Sequence, residues 1–128
     1  MRDNILLEKS KTLALRIIRM YKYLCEEKKE FVLSKQVLRS GTSIGANARE
    51  ANRSQSSKEF IAKLNISLKE ADETLYWLEL LHESDYIDDD AFNSIYTDTE
   101  EIVKLLVSII KTTKSKTNVE CRIKNVEI

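Results

Sequence analysis

Apolar residues recur along this chain at intervals of three and four, the period of a helix buried on one side, in four successive stretches. In the first, residues 4–27, the apolar stripe is Leu6, Leu13, Ile17, Met20 and Leu24. Its opposite side is basic, with Lys11, Arg16, Arg19 and Lys22 and no acid between positions 11 and 22. A polar run at residues 26–30 predicts the first turn. In the second stretch, residues 31–53, Leu38, Gly41, Gly45, Ala48 and Asn52 share one side, continued backwards by Ser34 and Phe31. Lys35, Arg39, Arg49 and Arg53 line the outer side, with Glu50 the only acid there.

Ser56-Ser57-Lys58-Glu59 is a capping-box sequence and opens a third helix over residues 57–84. So short a link makes helices two and three antiparallel neighbours. The third helix has a core line of Phe60, Leu64, Leu68, Ala71, Leu75 and Leu78. Ile66, Trp77 and Leu81 lie away from that line, interleaved with Glu59, Glu70 and Glu73. A helix apolar on two sides needs a second burial surface. The expectation is a subunit interface made by Ile66, Glu70, Glu73, Trp77 and Leu81; the alternative is that Trp77 only closes the edge of its own bundle.

Asp88 reads as the N-cap of a fourth helix, Asp89 and Asp90 complement its dipole, and Ile87 with Phe92 has the spacing of a hydrophobic staple. Phe92, Ile95, Thr99, Ile102, Leu106 and Ile109 form its core face. From Lys114 the pattern alternates apolar and polar through Val119, Cys121 and Ile123, which predicts an extended or flexible tail over residues 114–128. The expected fold is all-α: an antiparallel up-down-up-down four-helix bundle over residues 1–113 with a short C-terminal extension.

The chain's two glycines both fall inside the second helix, four residues apart. A glycine within a helix costs roughly 1 kcal/mol relative to alanine. Gly41 and Gly45 on one face, with Ala48 below them, therefore predict that another backbone comes close. A phosphate-binding loop of the Walker type needs Lys-Ser/Thr after its second glycine, and Ala46-Asn47 stands there instead.

A length of 128 residues suits one domain, and the absence of proline favours helix. No apolar run is long enough to span a bilayer, and the opening residues lack a leader pattern. Cys25 and Cys121 have no framework spacing, so the expected setting is the cytoplasm, with no membrane partner. The formal net charge is zero but unevenly spread. Residues 1–69 hold 15 Lys+Arg against 7 Asp+Glu, residues 70–113 hold 2 against 12, and residues 114–128 hold 4 against 2. Such a division concerns partners more than fold: an anionic ligand on the first half, or opposite halves of neighbouring copies attracting each other.

Catalytic patterns are sparse. Glu79-Leu80-Leu81-His82 is half of a di-iron bundle motif, but the second half needs another histidine and His82 is the only one. No arginine precedes His82 at the spacing used by helical-bundle ribonucleases. Neither cysteine has metal spacing or a histidine base. The expectation is a protein without enzymatic activity, cofactor or metal.

The glycine stretch, Arg39-Ser40-Gly41-Thr42-Ser43-Ile44-Gly45-Ala46-Asn47 followed by Arg49-Glu50-Ala51, carries a family resemblance. With Phe60-Ile61-Ala62-Lys63-Leu64 and Leu68-Lys69-Glu70-Ala71-Asp72-Glu73-Thr74-Leu75-Tyr76-Trp77-Leu78, it resembles the proteins known from intervening sequences in bacterial 23S ribosomal RNA genes. The resemblance implies an antiparallel helical bundle and, from some members, a pentameric ring. A related branch comprises accessory proteins of diversity-generating retroelements, which implies a reverse transcriptase and nucleic acid as partners.

Two functional readings follow. In the first, the chain is a nucleic-acid-binding accessory protein that contacts RNA or DNA phosphates through Arg16, Arg19, Lys35, Arg39, Arg49 and Arg53. In the second, it is a self-assembling structural or protein-interaction module, a homo-oligomer joined through the outer face of helix three. A patch that meets a different patch on the next copy is heterologous, and such contacts close into rings.

Overall fold

A computed structural model describes residues 2–127. Four helices follow one another: α1 (Arg2–Glu26), α2 (Leu33–Asn52), α3 (Ser57–Glu83) and α4 (Asp89–Glu127). Each packs on its neighbours in sequence and α4 closes back on α1, which makes an antiparallel up-down-up-down bundle. With both glycines committed to α2, the links turn on other residues. Lys29 and Asp85 take the left-handed conformation, at φ 53° and 63°.

The starts of α2, α3 and α4 each have an identifiable acceptor for their free backbone N–H groups. The Ser56 hydroxyl accepts from the Glu59 N–H at 3.1 Å, and the Glu59 carboxylate reaches back to the Gln55 N–H at 3.3 Å. Asp88 Oδ1 accepts from the Ala91 N–H at 2.8 Å and caps α4. α2 starts two residues later than its apolar pattern suggests, leaving Phe31 and Val32 exposed in the link. Its cap comes from further upstream. The buried Glu30 carboxylate accepts from the N–H groups of Val32, Leu33 and Ser34 at 3.2, 3.0 and 2.8 Å, while the Ser34 hydroxyl donates to the Glu30 carbonyl at 2.8 Å. Burial works to raise the Glu30 pKa, but these donors together outweigh it and hold the carboxyl below its ordinary value.

The core is aliphatic, with Leu13, Ile17, Leu24, Val37, Ile44, Leu64, Leu78, Leu81, Ile102 and Leu106 all but removed from solvent. Each such side chain contributes roughly 1.5–3 kcal/mol on burial. Against α1, α2 presents its glycines. A Cβ on Gly41 would stand 2.9 Å from Ile17 Cγ1 and 3.0 Å from Cγ2, and one on Gly45 would stand 3.1 Å from Ser10 Oγ. Against α3, α2 is joined through hydroxyls: Thr74 Oγ1 donates to Ser40 Oγ at 2.9 Å and Ser67 Oγ to the Ile44 carbonyl at 2.7 Å. No buried side-chain polar atom among the described residues lacks a partner.

Two expectations need correction. The segment from Lys114 is not extended: α4 continues unbroken to Glu127. No glycine or proline interrupts it, and Val119, Ile123 and Val126 are spaced by four and three, so the apparent alternation is equally a helical repeat. The hydroxyls of Thr113 and Thr117 donate to the carbonyls four residues before them, at 2.8 and 2.9 Å, a bond made within a helix. Second, the buried line of α3 is Leu64, Ser67, Ala71, Thr74, Leu78 and Leu81. Leu81, expected on an outward face, is 0% exposed and belongs to this chain's own core. Ser67 and Thr74 complete that line, and reading only apolar residues rotated the stripe away from it.

The glycine contacts predict unequal costs. Gly41→Ala gains helix propensity of about 1 kcal/mol but drives a methyl into the branch atoms of a buried isoleucine, at a cost of about 1–3 kcal/mol, for a net loss of up to about 2 kcal/mol. Gly45→Ala, facing only a small hydroxyl, should lie within about 0.5 kcal/mol of the parent, because the same gain offsets a smaller shift. Chemical denaturation of both variants checks the difference, and a Gly41→Ala protein more stable than the parent would contradict the packing.

Glu30 predicts a pH dependence. Its folded pKa lies below the ordinary value of 4.5, so its stabilisation is fully present above that value. It is lost as pH falls through the lower folded value. Glu30→Gln should cost about 1–2 kcal/mol at neutral pH, and the gap from the parent should narrow under acid. A gap constant from pH 7 to pH 3 would argue against the charged cap.

Candidate functional site

The six basic residues read from the sequence as one phosphate-contacting set fall in different places. Arg16 lies on the seam between α1 and α4, where Nη1 pairs with Asp98 and Nη2 donates to Ser94 Oγ at 2.9 Å. Arg39 lies on the seam between α2 and α3, where it pairs with Glu70 at 3.2 Å and with Glu73. Glu73 Oε1 also accepts from the Trp77 indole N–H at 3.1 Å. Arg39, Glu70, Glu73 and Trp77 thus form one network within a single chain, although the sequence suggested two separate surfaces. Lys9–Glu101 and Lys63–Glu50 pairs, at 3.4 and 3.3 Å, also cross between helices.

The charge division of the sequence is therefore met in part inside the bundle. Antiparallel packing sets basic α1 against the acidic first half of α4 and basic α2 against acidic α3. These pairs are largely exposed, and each contributes about 0–1 kcal/mol.

Among the described residues, Arg19, Lys35, Arg49 and Arg53 have no such pairing. Arg49 and Arg53 stand on one rim of a groove of about 490 Å³ between α1 and α2, and Lys11 stands on the other. All three are exposed and carry no hydrogen bond or ion pair among the described residues. Ser10, Ala14, Gly45 and Ala46 contribute to the lining, so the missing side chain of Gly45 opens the groove as well as admitting α1. Lys35 is exposed near the start of α2, about four turns before Arg49 and outside this groove. Arg19 belongs elsewhere, in a groove of about 430 Å³ between α1 and α4 that it shares with Arg16, Met20, Tyr23 and Ile95. Periodicity put Lys11 on the same basic side as Arg16, but five residues are about 140° of helix, enough to send them to different seams.

The outer face of α3 retains part of its expected character. Ile66 is 42% exposed and Trp77 is half-buried, packed against the core. Tyr76, which sequence reading passed over, is 53% exposed and lies against Trp77 with ring centroids 5.1 Å apart. Gly41 and Ala48 are buried in the helix packing, with Gly45 at its margin.

The Glu79-x-x-His82 pair is divided between two partners. Glu79 accepts from the Tyr96 hydroxyl at 2.9 Å; burial and this carboxylate push the Tyr96 pKa up to about 12. His82 bonds Asp89 at 2.6 Å and stacks on Phe92 with centroids 4.1 Å apart. Among the described residues no group of three or more His, Cys, Asp or Glu could hold a metal ion, and no helix is long and apolar enough to cross a membrane.

A family model described as 23S rRNA-intervening sequence protein matches residues 2–108. The chain is also similar to a crystal structure from Bacteroides thetaiotaomicron, of a protein with unknown function from the S23 ribosomal protein family. The two are 59% identical, with 87% of this chain and 99% of the other covered and a TM-score of 0.86. No curated protein matches the chain.

Proposed function

The chain belongs to the 23S rRNA-intervening sequence protein family, and on that premise we propose that it is a non-enzymatic accessory protein that binds the phosphate backbone of RNA or DNA. The observation that carries this reading is the sorting of its cations. Arg16, Arg39, Lys9 and Lys63 are engaged by acids of the same chain, whereas Lys11, Arg49 and Arg53 converge unengaged on one groove. Glu50, the acid in the lining, is held by Lys63. Cations on both rims suit a polyanion, whose condensed counterions are released on contact. The family's description refers to ribosomal RNA, which supports RNA as the first ligand to try.

Fluorescence anisotropy with labelled RNA and DNA over a salt series tests this reading. Binding should weaken with salt, and Lys11→Glu/Arg49→Glu/Arg53→Glu should abolish it. Arg39→Gln should leave it nearly unchanged, because Glu70 and Glu73 already hold that guanidinium. No binding of any nucleic acid at low salt removes the proposal.

A second reading, self-assembly through α3, is favoured by one observation: Tyr76 is exposed against the half-buried Trp77, and Ile66 is exposed about three turns away on the same helix. Aromatic anchors of this kind carry much of the energy of protein interfaces. Light scattering should then give a multiple of 14.9 kDa for the parent and a lower mass for Ile66→Glu/Tyr76→Glu. A monomeric parent would eliminate this reading.

A further inference from the structure

The lining of the groove between α1 and α2 bears on the form of nucleic acid it suits. It consists of Leu7, Ser10, Ala14, Thr42, Gly45 and Ala46, with Lys11, Arg49, Arg53 and the engaged Glu50 as its charged members. None of these is aromatic. Proteins that hold single strands without sequence preference combine a basic track with rings on which unpaired bases stack, at roughly 1–3 kcal/mol per base. The exposed aromatic residues of this chain are placed elsewhere: Tyr23 borders the groove between α1 and α4, Phe31 is in the first link and Tyr76 is on α3.

The groove is equally poor in groups that read base edges. No asparagine or glutamine lines it, and the amide of nearby Asn47 donates to the Ser43 carbonyl at 2.9 Å. The Thr42 hydroxyl donates to the Leu38 carbonyl at 2.7 Å. Ser10, fully buried, donates to the Leu7 carbonyl at 3.2 Å. The lining offers positive charge, a shallow small-residue floor and little else.

Resting on the nucleic-acid reading above, we infer that this groove takes the phosphate ridge of base-paired nucleic acid, independently of sequence, in preference to an extended single strand. A duplex keeps its bases stacked on one another and turns its charged backbone outward, so it requires no ring from the protein. A single strand laid on this surface would leave its bases without a stacking partner. The duplex also carries the denser charge, and each cation that neutralises one of its phosphates weighs more in the salt dependence, about 0.9 against 0.7 per contact. With Lys11, Arg49 and Arg53 engaged, the slope of log affinity against log salt for duplex should be about −2.7.

The test is a competition at matched nucleotide length between a fully paired RNA or DNA hairpin stem and an unstructured oligonucleotide, read by anisotropy over a salt series. The expected result is a stem bound at least about tenfold more tightly than the single strand. Its slope should fall by about one unit in each of Lys11→Gln, Arg49→Gln and Arg53→Gln. Lys104→Gln, on exposed α4 outside the groove, should behave as the parent. Circular dichroism of each variant checks that the exposed substitutions leave the helices intact. A single strand bound as tightly as the stem overturns the inference while leaving the nucleic-acid reading in place. Equal losses for Lys104→Gln and the groove variants overturn the assignment to the groove. Absence of binding to both ligands overturns the reading on which the inference rests.

Discussion

The approach of α2 to α1 at Gly41 and Gly45 is the constraint on which the rest of this bundle depends. Ile17 crowds the place where a β-carbon of Gly41 would stand, and Ser10 approaches that of Gly45 less tightly, so α1 packs this close chiefly because position 41 carries no side chain. On its other side α2 is tied to α3 by hydroxyls that find partners across the interface, Ser40 with Thr74 and Ser67 with the Ile44 carbonyl. Small residues on two flanks thus let one helix sit close to both neighbours. Interiors pack as densely as organic crystals, so such positions have little slack. The helix-propensity cost of two glycines, about 2 kcal/mol, is offset by contacts that only their absence of side chain permits.

The charge pattern follows from the same topology. Net charges of +8 on residues 1–69 and −10 on residues 70–113 resemble a statement about partners. In the folded chain they become, in part, a statement about neighbours, since α4 returns along α1 and α3 along α2. Arg16 with Asp98 and Arg39 with Glu70 and Glu73 hold little energy each, but they use up cations that would otherwise be open to solvent. What survives the pairing on the first two helices is a basic rim between α1 and α2 together with Arg19, while exposed lysines such as Lys69 and Lys104 stand apart from it on α3 and α4.

Much of this was legible in the sequence, and the failures have particular causes. The four helices, the caps at Ser56 and Asp88 and the inward glycines all rest on local rules, and local rules are what a sequence displays. The stripe of α3 was misplaced because Ser67 and Thr74 are polar residues in core positions, satisfied by partners on α2 that no period reveals. The end of α4 was misread because a few residues alternating in polarity fit a strand and a helix equally well, and only the absence of a breaker separates them. Arg16 and Arg39 were grouped with the free cations because pairing between helices depends on their register, which lies outside any single helix. The groove itself has a faint signal: Gly45-Ala46 beside Arg49 and Arg53 already describes a bare floor under a charged rim.

One consequence of that rim concerns how such a protein can change. Lys11, Arg49 and Arg53 project from helices whose positions are set beneath them by Gly41, Gly45 and the aliphatic core, and none of the three is itself part of that core. Their replacement alters the electrostatic potential of one face while the scaffold keeps its shape. Surface chemistry and architecture are therefore separable variables in this molecule. A lineage built on it can drift widely in what its outer face attracts while the glycine-bearing helix stays almost fixed.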